Sequence, residues 1–171
     1  MIFSILFLFI LTSSNEFGTP FFTSLLSSLE SITKSVFIGY MNCDLLFHSS
    51  LVDSLNNIIS LQHSGQFNSS IMLMGRRYNK ITTLHHNYTD FSSSQFDQLI
   101  MNEVFHSDQF ITVAQDYFIM PPATLDYSDI PDLVIGRNGY DNFLVNYCMT
   151  HSITLIDMSA SGISLLSSSS L

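Results

Sequence analysis

The run FIGYMNCDLLF, from Phe37 to Phe47, decides the fold, because apolar residues flank a polar Asn42-Cys43-Asp44 step on both sides. An apolar run without alternation is typical of a strand that is buried on both faces. The polar step marks the point where this strand ends. An amide and a carboxylate at that point can bind a divalent metal, and the carboxyl edge of an α/β sheet is where such folds bind ligands.

Helices and strands alternate along the remaining sequence. Apolar residues at helical spacing predict helices over about 21–32, 50–65, 94–104 and 140–147, and apolar runs predict strands over 36–41, 71–74, 114–120 and 153–156. Thr19 and Pro20 are expected to cap the first helix and to open its first turn. This alternation is typical of an α/β domain, so we predict a mostly parallel sheet with helices on both faces.

Two stretches have no periodic pattern. Residues Tyr78–Ser94 are polar and rich in His and Asn, and we expect a long surface loop there. The segment from Ser159 onward is rich in Ser and is expected to fray. We therefore divide the chain into an N-terminal segment 1–14, a domain 15–158 and a tail 159–171.

The composition limits the class of protein. The chain has 171 residues, enough for one domain, and its 46% hydrophobic content with 15 Phe supports a packed core. Only 5 Lys and Arg residues stand against 14 acids, and the net charge of −9 argues against binding to nucleic acid or anionic lipid. Cys43 and Cys148 lie in apolar stretches and are predicted to be buried. The sequence has no nucleophile elbow, P-loop or dinucleotide glycine motif, which excludes those enzyme classes.

The N-terminal stretch Met1–Leu11 is almost entirely apolar. It is shorter than the ~20 residues that span a bilayer and matches a signal-peptide core in length, but no Lys or Arg precedes it. Three interpretations stay open: a secretory signal or truncated anchor, a buried first strand, and an artefact of the gene model. Asn68-Ser69-Ser70 and Asn87-Tyr88-Thr89 fit the N-glycosylation pattern, which favours the lumen of the secretory pathway or secretion. We expect membrane contact only through this N-terminal stretch.

Polar residues follow or interrupt the predicted strands. They are Asn42-Cys43-Asp44, Gly75-Arg76-Arg77, Asp116 and the stretch 136–142. Taken singly, an Asp after a strand is usually a turn or cap residue, and an Arg pair is usually solvated. Because the carboxyl ends of neighbouring parallel strands converge on one crevice, we expect these residues to lie close together.

Five blocks of sequence carry a more specific signal because they occur in one order: Asn15–Pro20, Tyr40–Phe47, Gly75–Arg77, Ala114–Ile119 and Ile130–Asn142. Together they resemble a group of GT-A-fold glycosyltransferase-like proteins, the nucleotide-diphospho-sugar transferases. The resemblance covers roughly residues 15–157. It implies a GT-A-like, Rossmann-like fold of three layers. It also implies an enzyme that transfers a sugar from a nucleotide-diphosphate sugar donor to a hydroxyl group of a glycan or another acceptor.

The resemblance further implies a divalent metal ion, commonly Mn²⁺. In these proteins an Asp-x-Asp motif after a central strand binds the ion, which bridges the diphosphate of the donor. Asp44 matches the second acid, and Asn42 replaces the first with an oxygen ligand that carries no charge. The leaving diphosphate gains negative charge during the reaction, and a hard cation held by oxygen ligands stabilises that charge.

Other positions take roles from the same resemblance. Asp141 lies where these enzymes often carry an acceptor-side carboxylate, and we expect it to be the general base if the reaction inverts configuration. The structural alternative is that Asp141 is an acid in the first turn of the helix, where its charge interacts favourably with the helix dipole. Arg76, Arg77 and Arg137 are candidates for binding donor phosphates or for pairing with carboxylates. Asp116 is expected to contact sugar hydroxyls, with a turn at the sheet edge as its alternative.

A catalytically inactive fragment of the same fold, or a binding module, is the alternative to an enzyme. Proteins of the resembled group begin with a strand and loop that bind the nucleotide base, whereas 14 residues precede Asn15 here. They also tend to carry a metal-binding His after the last strand, and Ser159–Leu166 contains none. Truncation at both ends and completion of the site by a partner are both open on this evidence.

Overall fold

The computed structural model describes residues 13–66, 70–79, 93–137 and 139–166. The apolar stretch Met1–Leu11, the triplet at Asn87 and the first two residues of the triplet at Asn68 lie outside the described residues. Within those ranges, no helix has both the length and the apolar character needed to cross a membrane.

The described residues contain four α-helices, each of which overlaps a helix predicted from apolar spacing: α1 Phe22–Ile32, α2 Ser50–His63, α3 Ser93–Phe105 and α4 Tyr140–Thr150. The predicted start of α1 is wrong, because its N-cap is Phe21 rather than Thr19. Asn15 Oδ1 accepts hydrogen bonds from the backbone N–H groups of Phe17 and Thr19. These bonds hold the residues ahead of α1 in a turn.

The described residues also contain eight strands: β1 Ile38–Met41, β2 Leu45–Phe47, β3 Ile71–Gly75, β4 Tyr78–Asn79, β5 Asp108–Gln109, β6 Tyr117–Met120, β7 Thr154–Asp157 and β8 Ser164–Leu166. β1, β3, β6 and β7 overlap the four predicted strands. The other four strands are too short to produce a periodic pattern, so the sequence does not predict them.

The first sheet has the strand order β1-β6-β3-β7. β6 is antiparallel to β1 and to β3, and β7 is parallel to β3. In this register Ile119 of β6 lies between Gly39 of β1 and Leu73 of β3. Three strands of the sheet therefore share one direction, and β6 runs against them.

The predicted mostly parallel, GT-A-like sheet is wrong, because the domain is a small mixed α/β unit with two mixed sheets. The chain leaves the first sheet at the end of β3 and re-enters it at the same edge. There the Asp116 N–H donates a hydrogen bond to the Gly75 carbonyl oxygen (2.9 Å). β6 must then run back through the sheet. A helix between two strands in sequence is thus not sufficient evidence for a parallel crossover.

The second sheet has the order β2-β8-β4-β5, with antiparallel pairs at both ends and a parallel pair in the middle. β8 lies in the tail for which the sequence predicts fraying, and that prediction is wrong as far as Leu166. Ser164 and Leu165 of β8 are fully buried. Leu165 packs against Ile100 and Val104 of α3, which explains why this strand is ordered.

Two apolar clusters cover the two faces of the first sheet. Phe118 and Met120 of β6 belong to one cluster, and Tyr117 and Ile119 belong to the other, as the alternation of a strand requires. The helices supply Phe22, Leu26, Leu144, Tyr147 and Cys148 to the first cluster and Leu51, Leu55 and Ile58 to the second. Helices therefore pack against both faces of the first sheet.

The two cysteines differ in their burial. Cys148 is buried and free, as predicted, and burial raises the pKa of its thiol to about 11. Cys43 is free but exposed, so its predicted burial is wrong. The polar residues on either side of Cys43 form the turn between β1 and β2, and the strand does not continue through them.

Candidate functional site

The polar residues predicted at the strand ends meet at one edge of the first sheet. Because β1, β3 and β7 run in one direction and β6 runs in the other, the carboxyl ends of the three strands lie beside the amino end of β6. Asn42 follows β1, Arg77 follows β3 and Asp116 precedes β6. We call these three residues the strand-end cluster.

Asp116 is the centre of the strand-end cluster. Its side chain is only 3% exposed and forms an ion pair with Arg77, whose Nη1 contacts Oδ1. The Arg77 backbone N–H donates to Asp116 Oδ2 (3.1 Å), and Asn42 Nδ2 donates to Oδ1 (3.2 Å). A buried carboxylate needs such partners, because an unpaired charge in the interior is costly. Of the two expectations for Arg77, pairing with a carboxylate is the one realised here.

Arg77 is held in place by two further contacts. Its Nε donates to Asn79 Oδ1 (2.8 Å), and its guanidinium carbon lies 4.0 Å from the centre of the Phe110 ring. An Arg over an aromatic face is stabilised by the ring quadrupole. Arg77 is therefore a fixed structural cation in which two nitrogens are already engaged by protein groups.

Two tyrosines extend the cluster through Asn42. The Tyr40 hydroxyl donates to Asn42 Oδ1 (3.1 Å), and the Tyr140 hydroxyl donates to Tyr40. Burial is the main reason that the pKa of both hydroxyls is raised, so both are neutral at pH 7. The sequence analysis missed both residues. The signal was present for Tyr40, since residues two apart on a strand point to the same face.

Asp141 is linked to the strand-end cluster through the residue before Asp116. The Gln115 N–H donates to Asp141 Oδ2 (3.1 Å), and the Asn142 N–H donates to Asp141 Oδ1 (2.9 Å). Asp141 is half-buried in the first turn of α4. Its position therefore also agrees with the structural alternative, in which its charge interacts favourably with the helix dipole. The geometry brings this carboxylate to the same edge as Asp116.

Gln115 is a third residue that the sequence does not single out. Its Oε1 is buried and has no hydrogen-bond partner within the described part of the chain. A buried acceptor without a donor costs about 1–3 kcal/mol. Gln115 precedes Asp116 in sequence, and its backbone N–H contacts the Asp141 carboxylate, so this residue links the two acids at this edge.

Arg76 is placed differently from Arg77. Its backbone N–H donates to Ser159 Oγ (2.9 Å), and its Nη1 donates to the Phe110 carbonyl oxygen (3.4 Å). Among the described residues, no carboxylate lies within ion-pair distance of its guanidinium. Arg76 is accordingly the better candidate of the pair for binding an anionic ligand.

The remaining predicted residues are exposed. Asp44 lies in the turn after β1, two residues after Asn42 of the strand-end cluster. Arg137 lies in the turn before α4, where its backbone N–H donates to the Val134 carbonyl oxygen (3.3 Å). The described contacts do not bring the Arg137 side chain to the cluster.

The fit of a metal ion depends on the oxygen atoms of Asn42 and Asp44. The described residues contain no group of three or more His, Cys, Asp or Glu side chains that could hold a metal ion. Asp116 is neutralised by Arg77, and Asn42 Oδ1 already accepts a hydrogen bond. Mg²⁺-like ions are commonly bound by one or two protein oxygens together with water and substrate phosphates. A site built on the Asp44 carboxylate and the Asn42 amide oxygen would have to be of that type, with the ligand and water supplying the other oxygens.

Comparison with known proteins gives no relative of this chain: no family model, no curated protein and no solved structure matches it. The function must therefore be argued from the sequence blocks and from the strand-end cluster.

Proposed function

We propose that the protein is a glycosyltransferase that transfers a sugar from a nucleotide-diphosphate sugar to a hydroxyl acceptor with the help of a divalent metal ion. One observation carries this proposal. Asn42 and Asp116 lie 74 positions apart in sequence and are hydrogen bonded at the edge where β1 and β3 end. Arg77 and Asp141, from two further sequence blocks, are joined to them by Asp116 and Gln115. Four of the five blocks that resemble nucleotide-diphospho-sugar transferases thus contribute to one site.

We assign binding of the donor diphosphate to Asp44, Asn42 and Arg76. Asp44 and Asn42 would hold the metal ion, which stabilises negative charge on the leaving diphosphate when it is bound. Arg76 has no carboxylate partner among the described residues, and its guanidinium can donate to phosphate oxygens. Asp116 acts by positioning Asn42 and Arg77, because its own oxygens are taken up by these two residues.

We assign activation of the acceptor hydroxyl group to Asp141. Its carboxylate takes the proton of the acceptor hydroxyl as that oxygen bonds to the anomeric carbon of the sugar. The bond from the anomeric carbon to the diphosphate breaks, and its electron pair leaves with the diphosphate. Two backbone N–H groups fix the direction of the Asp141 carboxylate, which favours a productive orientation.

Calorimetric titration tests the donor site. Uridine- and guanosine-diphosphate sugars are titrated into the full chain with MnCl₂ or with EDTA. We expect binding that requires Mn²⁺ and that weakens about tenfold or more in Asp44→Asn, which keeps the shape of the side chain but removes its charge. Asp53→Asn, on α2, is the matched control with the same change in net charge. Absent binding, or binding that is equal with EDTA, contradicts the metal-dependent transferase.

Release of nucleoside diphosphate in the presence of an acceptor tests the chemistry. We expect Asp141→Asn to abolish turnover while donor binding stays within about twofold of the unmodified chain, because Asp141 is assigned to the acceptor. An equal loss of binding and turnover would instead assign Asp141 to the donor or to folding.

A sugar-nucleotide-binding module without turnover is the second candidate function. It is favoured by the Arg77–Asp116 pair, which removes one carboxylate from any metal site, and by the lack of a three-ligand metal group in the described residues. Donor binding that persists in EDTA and in Asp44→Asn, without release of nucleoside diphosphate, would select this candidate.

A further inference from the structure

A cavity of about 600 Å³ lies at the other edge of the first sheet. It is lined by Glu30, Ser70, Ala123, Thr124, Leu125, Asp126, Tyr127, Ser128, Tyr147, His151 and Ile153. Ser70 precedes β3 and Ile153 precedes β7, so this amino-edge cavity lies at the strand ends opposite to the strand-end cluster. A strand of four residues separates the two by ~13 Å. The volume is typical of a small-molecule site.

Glu30 is held firmly at the cavity. Its Oε1 accepts hydrogen bonds from the Tyr127 hydroxyl (2.7 Å) and from the Ala123 N–H (3.0 Å). Both donors are neutral, and no Lys or Arg is among the described residues that line the cavity. The Glu30 carboxylate is therefore oriented, and no ion pair within the described part of the chain balances its charge.

Asp126 supplies a second acid to the cavity wall. Its Oδ1 accepts hydrogen bonds from the hydroxyl (2.6 Å) and the backbone N–H (3.0 Å) of Ser128. The hydroxyl bond, followed by the backbone bond, lowers the pKa of Asp126, so this carboxylate is charged at neutral pH. The lining thus has two acids and no permanent positive charge, which disfavours a phosphate or another anion.

Three aromatic rings, those of Tyr127, Tyr147 and His151, form another part of the wall. The Tyr147 and His151 rings are stacked with centroids 3.9 Å apart and planes 12° apart, so each covers one face of the other. His151 also lies beside Asp129, with Nε2 3.6 Å from Oδ2, so another acid stands at the rim. The half-buried Tyr127 ring is outside this stack, and an aromatic face beside carboxylates attracts organic cations, because the negative face of the ring adds to the charge of the acids.

We propose that the amino-edge cavity binds a small organic cation that carries an ammonium group. The Glu30 and Asp126 carboxylates bind the ammonium group, and the half-buried Tyr127 ring packs against its carbon chain. This proposal is independent of the glycosyltransferase proposal, because none of these residues belongs to the strand-end cluster. A free amine and the side chain of a lysine share this chemistry.

Titration of the full chain with cadaverine, followed by NMR, tests the proposal without a nucleotide sugar. We expect saturable binding of cadaverine at millimolar concentration and weaker binding of pentanol and pentanoate, which have similar chains without the positive charge. N-acetyl-lysine amide is titrated in parallel. Tighter binding of cadaverine identifies a free amine as the ligand, and tighter binding of the lysine derivative identifies a lysine side chain.

Three variants test whether cadaverine binds to the acids of the cavity or is attracted by the negative charge of the protein as a whole. Asp126→Asn and Glu30→Gln are each expected to weaken cadaverine binding about fivefold, the effect of losing one charge contact near water. Asp132→Asn removes an exposed acid outside the lining and is expected to leave binding unchanged. Asp126 is a surface side chain, so its variant remains informative if Glu30→Gln fails to fold. No saturation with cadaverine, equal binding of pentanol, or equal weakening by Asp132→Asn overturns the proposal.

Discussion

At the edge where β1 and β3 end, Asp116 is buried and its charge is balanced by Arg77. At the opposite edge, Glu30 is held by the Tyr127 hydroxyl and the Ala123 N–H, which carry no charge. Both carboxylates are fixed in direction, but of the two only Asp116 has an ion-pair partner among the described residues. A paired buried charge is tied to the stability of the fold, whereas an unpaired carboxylate near solvent can bind a cation at little cost to the fold.

The ion pair at the carboxyl edge gives the largest expected effect. Asp116→Asn leaves the Arg77 guanidinium, 17% exposed, without its counter-charge. Breaking a buried pair by removing one partner costs about 3–5 kcal/mol. We expect urea denaturation, followed by circular dichroism, to give a free energy of unfolding lowered by about this amount. The expected loss is a large part of the total stability of a small domain.

Two variants provide the controls for Asp116→Asn. Asp132→Asn removes an exposed acid and is expected to change the free energy of unfolding by less than about 0.5 kcal/mol. The double variant Asp116→Leu with Arg77→Met removes both charges and is expected to recover part of the loss. A loss below about 1 kcal/mol in Asp116→Asn would mean that the pair is solvated, and the contrast between the two edges would disappear.

A pair of tyrosine variants compares the two edges directly. Tyr127→Phe removes a donor to the Glu30 carboxylate, and Tyr140→Phe removes a donor to the neutral Tyr40 hydroxyl. Hydrogen bonds to charged groups contribute about 1.5–3 kcal/mol and neutral ones about 1 kcal/mol, so the Tyr127 variant should lose more stability in the same urea experiment. The opposite order would show that burial, and not charge, decides the strength of these bonds.

The sequence was sufficient to predict the four helices and the four strands of the first sheet, because each helix is long enough to show its period and each strand lies in an apolar run. Leu51, Leu55 and Ile58 of α2 lie on one helical face and are all buried. β8 could not be predicted from its three residues, since its burial depends on contact of Leu165 with Ile100 of α3. The reversed direction of β6 was equally hidden, because the amide of Asp116 bonds to Gly75, which is distant in sequence.

The proximity of three of the predicted residues was anticipated better than the sheet that carries them, whereas Arg137 does not join them. Asn42, Arg77 and Asp116 were expected to meet because strands of one direction end at one edge. They do meet, although β6 is reversed, since Asp116 precedes its strand whereas Asn42 and Arg77 follow theirs. A residue before an antiparallel strand and a residue after a parallel strand occupy the same edge. Contacts made through Gln115 and Tyr140 could not be predicted, because they depend on how α4 packs.

The smallest expected effect is on the titration of the Asp126 carboxyl group, which lines the amino-edge cavity. Because Ser128 lowers the pKa of Asp126, folding favours the charged carboxylate. The resulting stability is fully present above the unfolded pKa of about 3.9 and is lost as the pH falls through the lower folded value. NMR titration of the Asp126 carboxyl carbon should therefore give a midpoint below the ordinary one. Ser128→Ala removes the hydroxyl donor but keeps the backbone N–H, so the midpoint should rise only part of the way. An unchanged midpoint in Ser128→Ala would show that the hydroxyl does not stabilise the charge. The backbone N–H alone would then account for the lowered pKa of Asp126.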